Sequence, residues 1–317
     1  MTREKEDETA MTQEIIFHHY PSSPFSEKVR VAFGIKGLSW RAVEQPIIMP
    51  KPDLIPLTGG YRKIPVMQIG ADVFCDTQII LRELERRYPS PSIFPVKNGL
   101  AYAIAFWSDR LFFMPSVGVV FGEIGHMIPE EFKKDREKLS GNAFSTDAMK
   151  AAAPFAKDQW RAHADFVAET LEDGRDFVGG PKPGAGDIHA YMNFWWIGAA
   201  VPHIAGDLLK EYPKITAWVA RVRAIGHGKP TPMDPKEALA IAKAATSDAV
   251  AQEDAFDPRG FKPGQRVTVA ADDYGRDAIA GEIVFGNAHE IAIHRSTPEV
   301  GEVVVHFPRA GFTVAPA

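Results

Sequence analysis

The sequence predicts three units in series: an α/β unit with a small mixed sheet, an all-helical bundle, and a small β-rich unit at the C-terminal end. Three observations carry this. Residues 14–90 alternate short β-type runs with stretches of helical periodicity. From Leu100 to about Ala245, apolar helical faces follow one another between Gly and Pro breaks. After "SDAVAQEDAFDPRG" come four β-rich runs at roughly ten-residue spacing, the rhythm of a small barrel or sandwich.

In the first unit, "EIIFHHY" is a β-type run closed by Pro21. Phe25, Val29, Ala32 and Phe33 then recur at helical spacing, and Gly37 is the expected C-terminal stop. "SWRAVEQP" alternates like a strand, and "PVMQIGADVFC" reads as a hairpin around Gly70-Ala71-Asp72. "DTQIILRELERRYP" is a helix with Ile79, Ile80 and Leu84 on its apolar face. The expected order is β-α-β-(short helix)-β-β-α.

A proline-rich linker, "PSPSIFPVKNG", leads into helical segments expected at 99–125, 147–173, 184–200, 207–225 and 235–246. The β-runs of the last unit are "QRVTVAADD", "AGEIVFG", "HEIAIHR" and "GEVVVHF". About sixty residues form a marginal core alone, so this unit is expected to dock on the helical unit or on a second subunit. The division is therefore 1–13 as a flexible tail, 14–90, 98–247 and 257–317.

Composition narrows the function. The chain has 317 residues, a net charge of −5 and a pI near 6.1, so nothing draws it to nucleic acid or to an anionic membrane. Cys75 is the only cysteine, which excludes an intrachain disulfide, a multi-cysteine metal site and a two-cysteine redox centre. "MTREKEDETAMTQE" lacks the apolar core of a secretory signal. The apolar segment from Leu100 to Val120 is broken by Asp109, Arg110 and Pro115. A cytoplasmic protein acting on small molecules is the expectation.

Ser23-Pro24 begins the first helix with serine at the N-cap and proline at N1, good capping chemistry in itself. The same helix end, with free N–H groups and a positive dipole, is also suited to an anion. A capping hydroxyl that accepts from a backbone N–H still has a proton to donate, so the two roles coexist. His18 and His19 alternate along one strand and cannot share an ion. His289 and His294 stand at opposite ends of one run and His306 lies on another, so no metal is expected.

Read in order, "SPFSEKVR", "RKIPVM" and "CDTQII", followed by a linker and a helical unit, resemble the cytosolic glutathione S-transferases over about residues 14–230. The resemblance implies a thioredoxin-like N-terminal domain followed by an α-helical domain. It also implies glutathione as co-substrate and a homodimer. "SPFSEKVR" is similar to the omega-class Cys-Pro-Phe segment with serine in place of cysteine. Ser23 thereby resembles the catalytic serine of the theta- and zeta-type enzymes, which hydrogen-bonds the glutathione sulfur.

Ile64-Pro65 resembles the family's Val-Pro pair, whose cis proline exposes main chain to the cysteinyl part of glutathione. Asp76-Thr77 matches the Glu-Ser pair that holds the γ-glutamyl group. Lys51 falls where omega-type enzymes have a lysine at the glycyl end, and Lys63 lies beside the cleft. Each has a plainer reading: strand-start proline, helix cap or solvated lysine. Tyr20 is the runner-up hydroxyl.

The implied chemistry is thiolate activation. A free thiol titrates near pH 8.5, and lowering that by two units requires about 2.7 kcal/mol of preferential thiolate stabilisation. A helix N-terminus plus one hydroxyl bond is of that order. Phe25, Phe106 and Phe113, with Tyr102, suggest an apolar wall for a small electrophile, or simply bundle core. Gly184 stands where the family's second domain has a hydroxyl N-cap, and Asp187 is retained. The competing readings are a non-catalytic protein of the same fold and, weakened by the absence of cysteine at position 23, a deglutathionylating enzyme.

Overall fold

The computed structural model describes residues 14–95, 99–250 and 257–317. The tail expected over 1–13 and residues 96–98, at the end of the linker and the start of the expected 98–247 unit, lie outside the described residues. The N-terminal unit runs β1 (Ile16–His19), α1 (Pro24–Lys36), β2 (Ser39–Glu44), α2 (Ile55–Thr58), β3 (Val66–Ile69), β4 (Asp72–Cys75) and α3 (Thr77–Arg87). β1 pairs parallel to β2 and antiparallel to β3, and β3–β4 is the expected hairpin.

Helix α1 forms as its ends dictate. The Ser23 hydroxyl accepts from Ser26 N at 3.0 Å, and Pro24 takes the first turn, where its missing N–H costs nothing. Gly37 ends the helix at φ 62°, a left-handed conformation that glycine adopts without penalty. Val29, Ala32 and Phe33 pack from this helix into the core shared with the helical domain.

That domain begins with α4 (Leu100–Phe106), a π-helical stretch (Trp107–Phe112) and α5 (Phe113–Ile124). The run Leu100–Met127 is long and apolar enough to cross a membrane by length and composition. Here Phe112, Val119 and Val120 are buried in the main core with Trp160 and Tyr191. There follow α6 (Glu130–Ser140), α7 (Thr146–Thr170), α8 (Ala185–Ala200), α9 (Pro202–Leu209), α10 (Pro213–Ala224) and α11 (Pro235–Ala244).

Three details depart from expectation. The helix expected over 207–225 is two helices, because Pro213 begins a new one. Helix α6 was unanticipated: it is polar nearly all round, and Asp135 is its one buried residue. Gly184 is more than a tolerable cap, since a Cβ there would meet Pro95 Cδ at 2.8 Å and Ile93 O at 3.0 Å. Asp187 completes this helix start by accepting from Gly184 N, Val178 N and Trp218 Nε1.

The C-terminal strands do not form a separate barrel or sandwich, nor dock chiefly on the bundle. β6 (Arg266–Ala271), β7 (Ile279–Gly286), β8 (Glu290–Thr297), β9 (Gly301–Pro308) and β10 (Phe312–Pro316) continue the N-terminal sheet, because β9 pairs parallel to β4. With β5 (Lys229–Pro232) beside β2, the sheet has ten strands in the order β10-β6-β7-β8-β9-β4-β3-β1-β2-β5. Val267, Ile293, Val305 and Phe307 share one core with Leu54, Tyr61, Ile64 and Cys75. β5 escaped sequence reading because two of its four residues are proline, which is tolerated at a sheet edge.

Candidate functional site

The N-terminus of α1, the Ile64-Pro65 turn before β3, and the start of α3 converge on one cleft. Ile64-Pro65 is a cis peptide. Asp76 caps α3, its carboxylate accepting from Gln78 N at 2.9 Å, and sits at φ 90°, a conformation rarely held by a residue with a side chain. Burial raises the Asp76 pKa, while the Gln78 N–H, Lys63 and Lys28 oppose the rise. Ile64, Pro65, Asp76, Thr77 and Lys63 line the cleft, as do Phe25 and Phe106.

The other expected residues sit elsewhere. Phe113 stands behind Phe25, their rings edge to face at 4.9 Å, and stacks on Trp196. Ser23 is 1% exposed and is not among the residues that line the cleft. Lys51 is buried, with its ammonium 5.6 Å from the Tyr20 ring, and burial with Arg136 and Arg62 nearby lowers its pKa to about 8. Burial raises the Tyr20 phenol, against the pull of Arg136 and the Ser23 hydroxyl beside it. Tyr20 is therefore a protonated neighbour of Ser23.

Three residues that the sequence reading passed over, Arg30, Glu27 and Lys28, hold this arrangement together. Arg30 donates to Pro21 O at 3.0 Å and to Tyr20 O and Ser23 O at 3.4 Å, tying down the turn that carries Ser23. Glu27 pairs with Arg30 at 2.8 Å and is itself buried. Lys28, fully buried, donates to Thr77 Oγ1 at 3.0 Å and to both Asp109 oxygens at 2.8 Å. This ion pair joins α1 to the π-helical stretch at the cleft wall, and burial lifts the Asp109 carboxyl to about 6. The only sequence signal was charge at apolar positions of otherwise core-facing helices.

The expected metal-free reading concerns histidines that have other partners. His18 meets Gln68 and Gln45, and burial lowers its pKa to about 4. His19 receives the Arg30 guanidinium at 3.2 Å and is likewise lowered to about 4, by burial and then by Arg30. His306 lies between Asp72 at 2.9 Å and Glu290 at 2.6 Å, across the β4–β9 junction. Among the described residues no three side chains form a set of metal ligands.

A thioredoxin-type sheet, a cis-proline turn and a helix-start acid–hydroxyl pair against an all-α domain define a protein of the glutathione-transferase class. Comparison with known proteins agrees. Residues 17–92 match the family described as glutathione S-transferase, N-terminal domain, and residues 121–229 match a domain of unknown function, DUF7962. A crystal structure of a GST-like protein from Pseudomonas syringae is 36% identical. It is similar over 96% of this chain and 100% of its own, with a TM-score of 0.79.

A probable glutathione S-transferase of Nicotiana tabacum is 25% identical, covering 62% of this chain and 78% of its own. Rice GST1, solved in complex with glutathione, shares the fold at 19% identity and a TM-score of 0.51, over 71% of this chain and 92% of its own. The chain belongs to the glutathione S-transferase family.

Proposed function

We propose that this protein binds glutathione in the cleft and activates its thiol through Ser23 for transfer to a small apolar electrophile. The observation that carries the reading is the meeting of three elements on one wall. These are the cis Ile64-Pro65 turn, the Asp76-Thr77 helix start and the α1 N-terminus. In this reading the γ-glutamyl carboxylate meets the N–H groups at the start of α3, and the Asp76 carboxylate meets the ammonium. Main chain at Ile64 pairs with the cysteinyl unit. Lys63 serves the carboxylate at the other end, whereas Lys51, buried away from the cleft lining, does not reach it in this arrangement.

The Ser23 hydroxyl accepts from Ser26 N and neighbours the Tyr20 phenol, so donating its proton to a sulfur anion means turning it from Tyr20 toward the ligand. The α1 dipole adds to this stabilisation, and Arg30 fixes the turn that carries Ser23. The thiolate attacks the electrophilic carbon and the leaving group departs with the displaced electron pair. Phe25 and Phe106 supply apolar surface for that partner, with Phe113 supporting Phe25 from behind. With serine at both 23 and 26, thiol–disulfide exchange through this segment has no protein sulfur to use.

Calorimetry with glutathione tests binding, and the ultraviolet absorbance of the bound thiolate tests Ser23. In Ser23→Ala that absorbance should fall; unchanged absorbance would assign activation to the helix N–H groups or to Tyr20. We further propose a cytoplasmic homodimer, tested by mass in solution. A second reading, a non-catalytic binder of this fold, is favoured by the small free volume of the cleft, about 60 Å³. Turnover of an electrophile panel separates the two.

A further inference from the structure

The free volume left in the cleft is far below the roughly 300–1,000 Å³ of ordinary ligand pockets. What fills it is a segment of the same chain, the loop of residues 272–278 between β6 and β7. The Asp273 carboxylate lies 3.0 Å from Lys63 Nζ, and the Tyr274 carbonyl accepts from the same ammonium at 3.0 Å. The Tyr274 ring stands 4.7 Å from that ammonium. Tyr274 and Asp273 line the cleft together with Ile64, Pro65, Asp76 and Thr77.

The loop is latched on the helical domain as well. Gly275 N donates to Leu139 O at the end of α6 at 2.8 Å, and Arg110 pairs with Asp272 at 2.5 Å. The latches are single hydrogen bonds and partly exposed ion pairs, which are individually weak. Such a segment can leave without disturbing β6 or β7, whose ladders end at Ala271 and begin at Ile279.

We infer that the 272–278 loop is an intramolecular occupant of the glutathione cleft, with Asp273 standing in for a ligand carboxylate on Lys63, and that it must swing out before a carboxylate-bearing thiol ligand can enter. This rests on the glutathione reading given above. The C-terminal strands, which continue the N-terminal sheet, then act as the rigid mount of a gate. Occupation by the loop lowers the apparent affinity by the fraction of time the gate is open.

The test is calorimetric titration of glutathione into the full-length chain and into Asp273→Ala/Tyr274→Ala, with Asp273→Asn as the milder variant. The gate predicts at least a tenfold tighter dissociation constant in the double variant and a smaller gain of the same sign in Asp273→Asn. Equal or weaker affinity in both variants overturns the gate and leaves the glutathione reading standing. Absence of binding in all three proteins overturns both. Hydrogen exchange of residues 272–278 in the unmodified chain gives a readout that needs no variant. Saturating glutathione should accelerate exchange at Gly275, and unchanged or slower exchange with glutathione bound overturns the gate.

Discussion

Ser23 carries two duties that one substitution separates by readout. As the N-cap of α1 it contributes on the order of 1 kcal/mol, so Ser23→Ala should lower stability by about that amount in urea unfolding. As the proposed thiolate donor it should also lose the ultraviolet signature of bound thiolate, which a mere cap would not. Lys28 and Asp109 make a second prediction at this scale. Lys28→Met leaves a part-buried carboxylate unpaired and should cost about 1–3 kcal/mol, whereas Lys28→Met/Asp109→Leu should recover most of it. A double variant as unstable as the single one would refute the pairing. The cap was legible in "SSPF", because capping is local chemistry. The pair was not, since its members are separated by 81 residues and only packing brings them together.

Among elements, the junction of β4 with β9 is where pH acts. His306 sits between two carboxylates, and its hydrogen bonds to Asp72 and Glu290 outweigh burial and raise its pKa to about 9. A histidine held above its unfolded value near 6.5 contributes stability in full below that pH and loses it as pH rises through 9, on the order of 3 kcal/mol. His18 and His19, lowered to about 4, act in the opposite sense: their contribution is present above 6.5 and lost as pH falls through 4. Thermal stability should therefore peak near neutrality and decline toward pH 9, and His306→Gln should flatten the alkaline decline. An unaltered alkaline slope in that variant would contradict the assignment. The strands themselves could be read from β-rich runs, whereas the parallel β4–β9 pairing joins segments more than 200 residues apart and has no local signature. Helix α6 and strand β5 were missed for a related reason: ion pairs hold the first and a neighbouring strand holds the second.

For the whole molecule, the C-terminal strands complete the N-terminal domain. Removing residues 257–317 would strip partners from Tyr61, Ile64 and Cys75 and leave the β4 edge unpaired. Such a truncation should be insoluble or melt at least about 10 °C lower than the full chain, a loss expected when a large shared core is opened. A soluble fragment of unchanged melting temperature would mean that the strands are only an appendix. The division into α/β, helical and β-rich stretches was visible in periodicity and in Gly and Pro placement. The joining of the first and last stretches into one sheet, with a loop in the cleft, was not.

The central claim is that this cleft binds glutathione through the α3 start and Lys63. Titration of glutathione into the full chain, the loop-opened Asp273→Ala/Tyr274→Ala variant and Asp76→Ala tests it most directly. The account predicts saturable binding at millimolar or tighter affinity in the first two proteins and at least about tenfold weaker binding in Asp76→Ala, a loss of about 1.4 kcal/mol or more. No saturable heat in either the full chain or the loop-opened variant would contradict it.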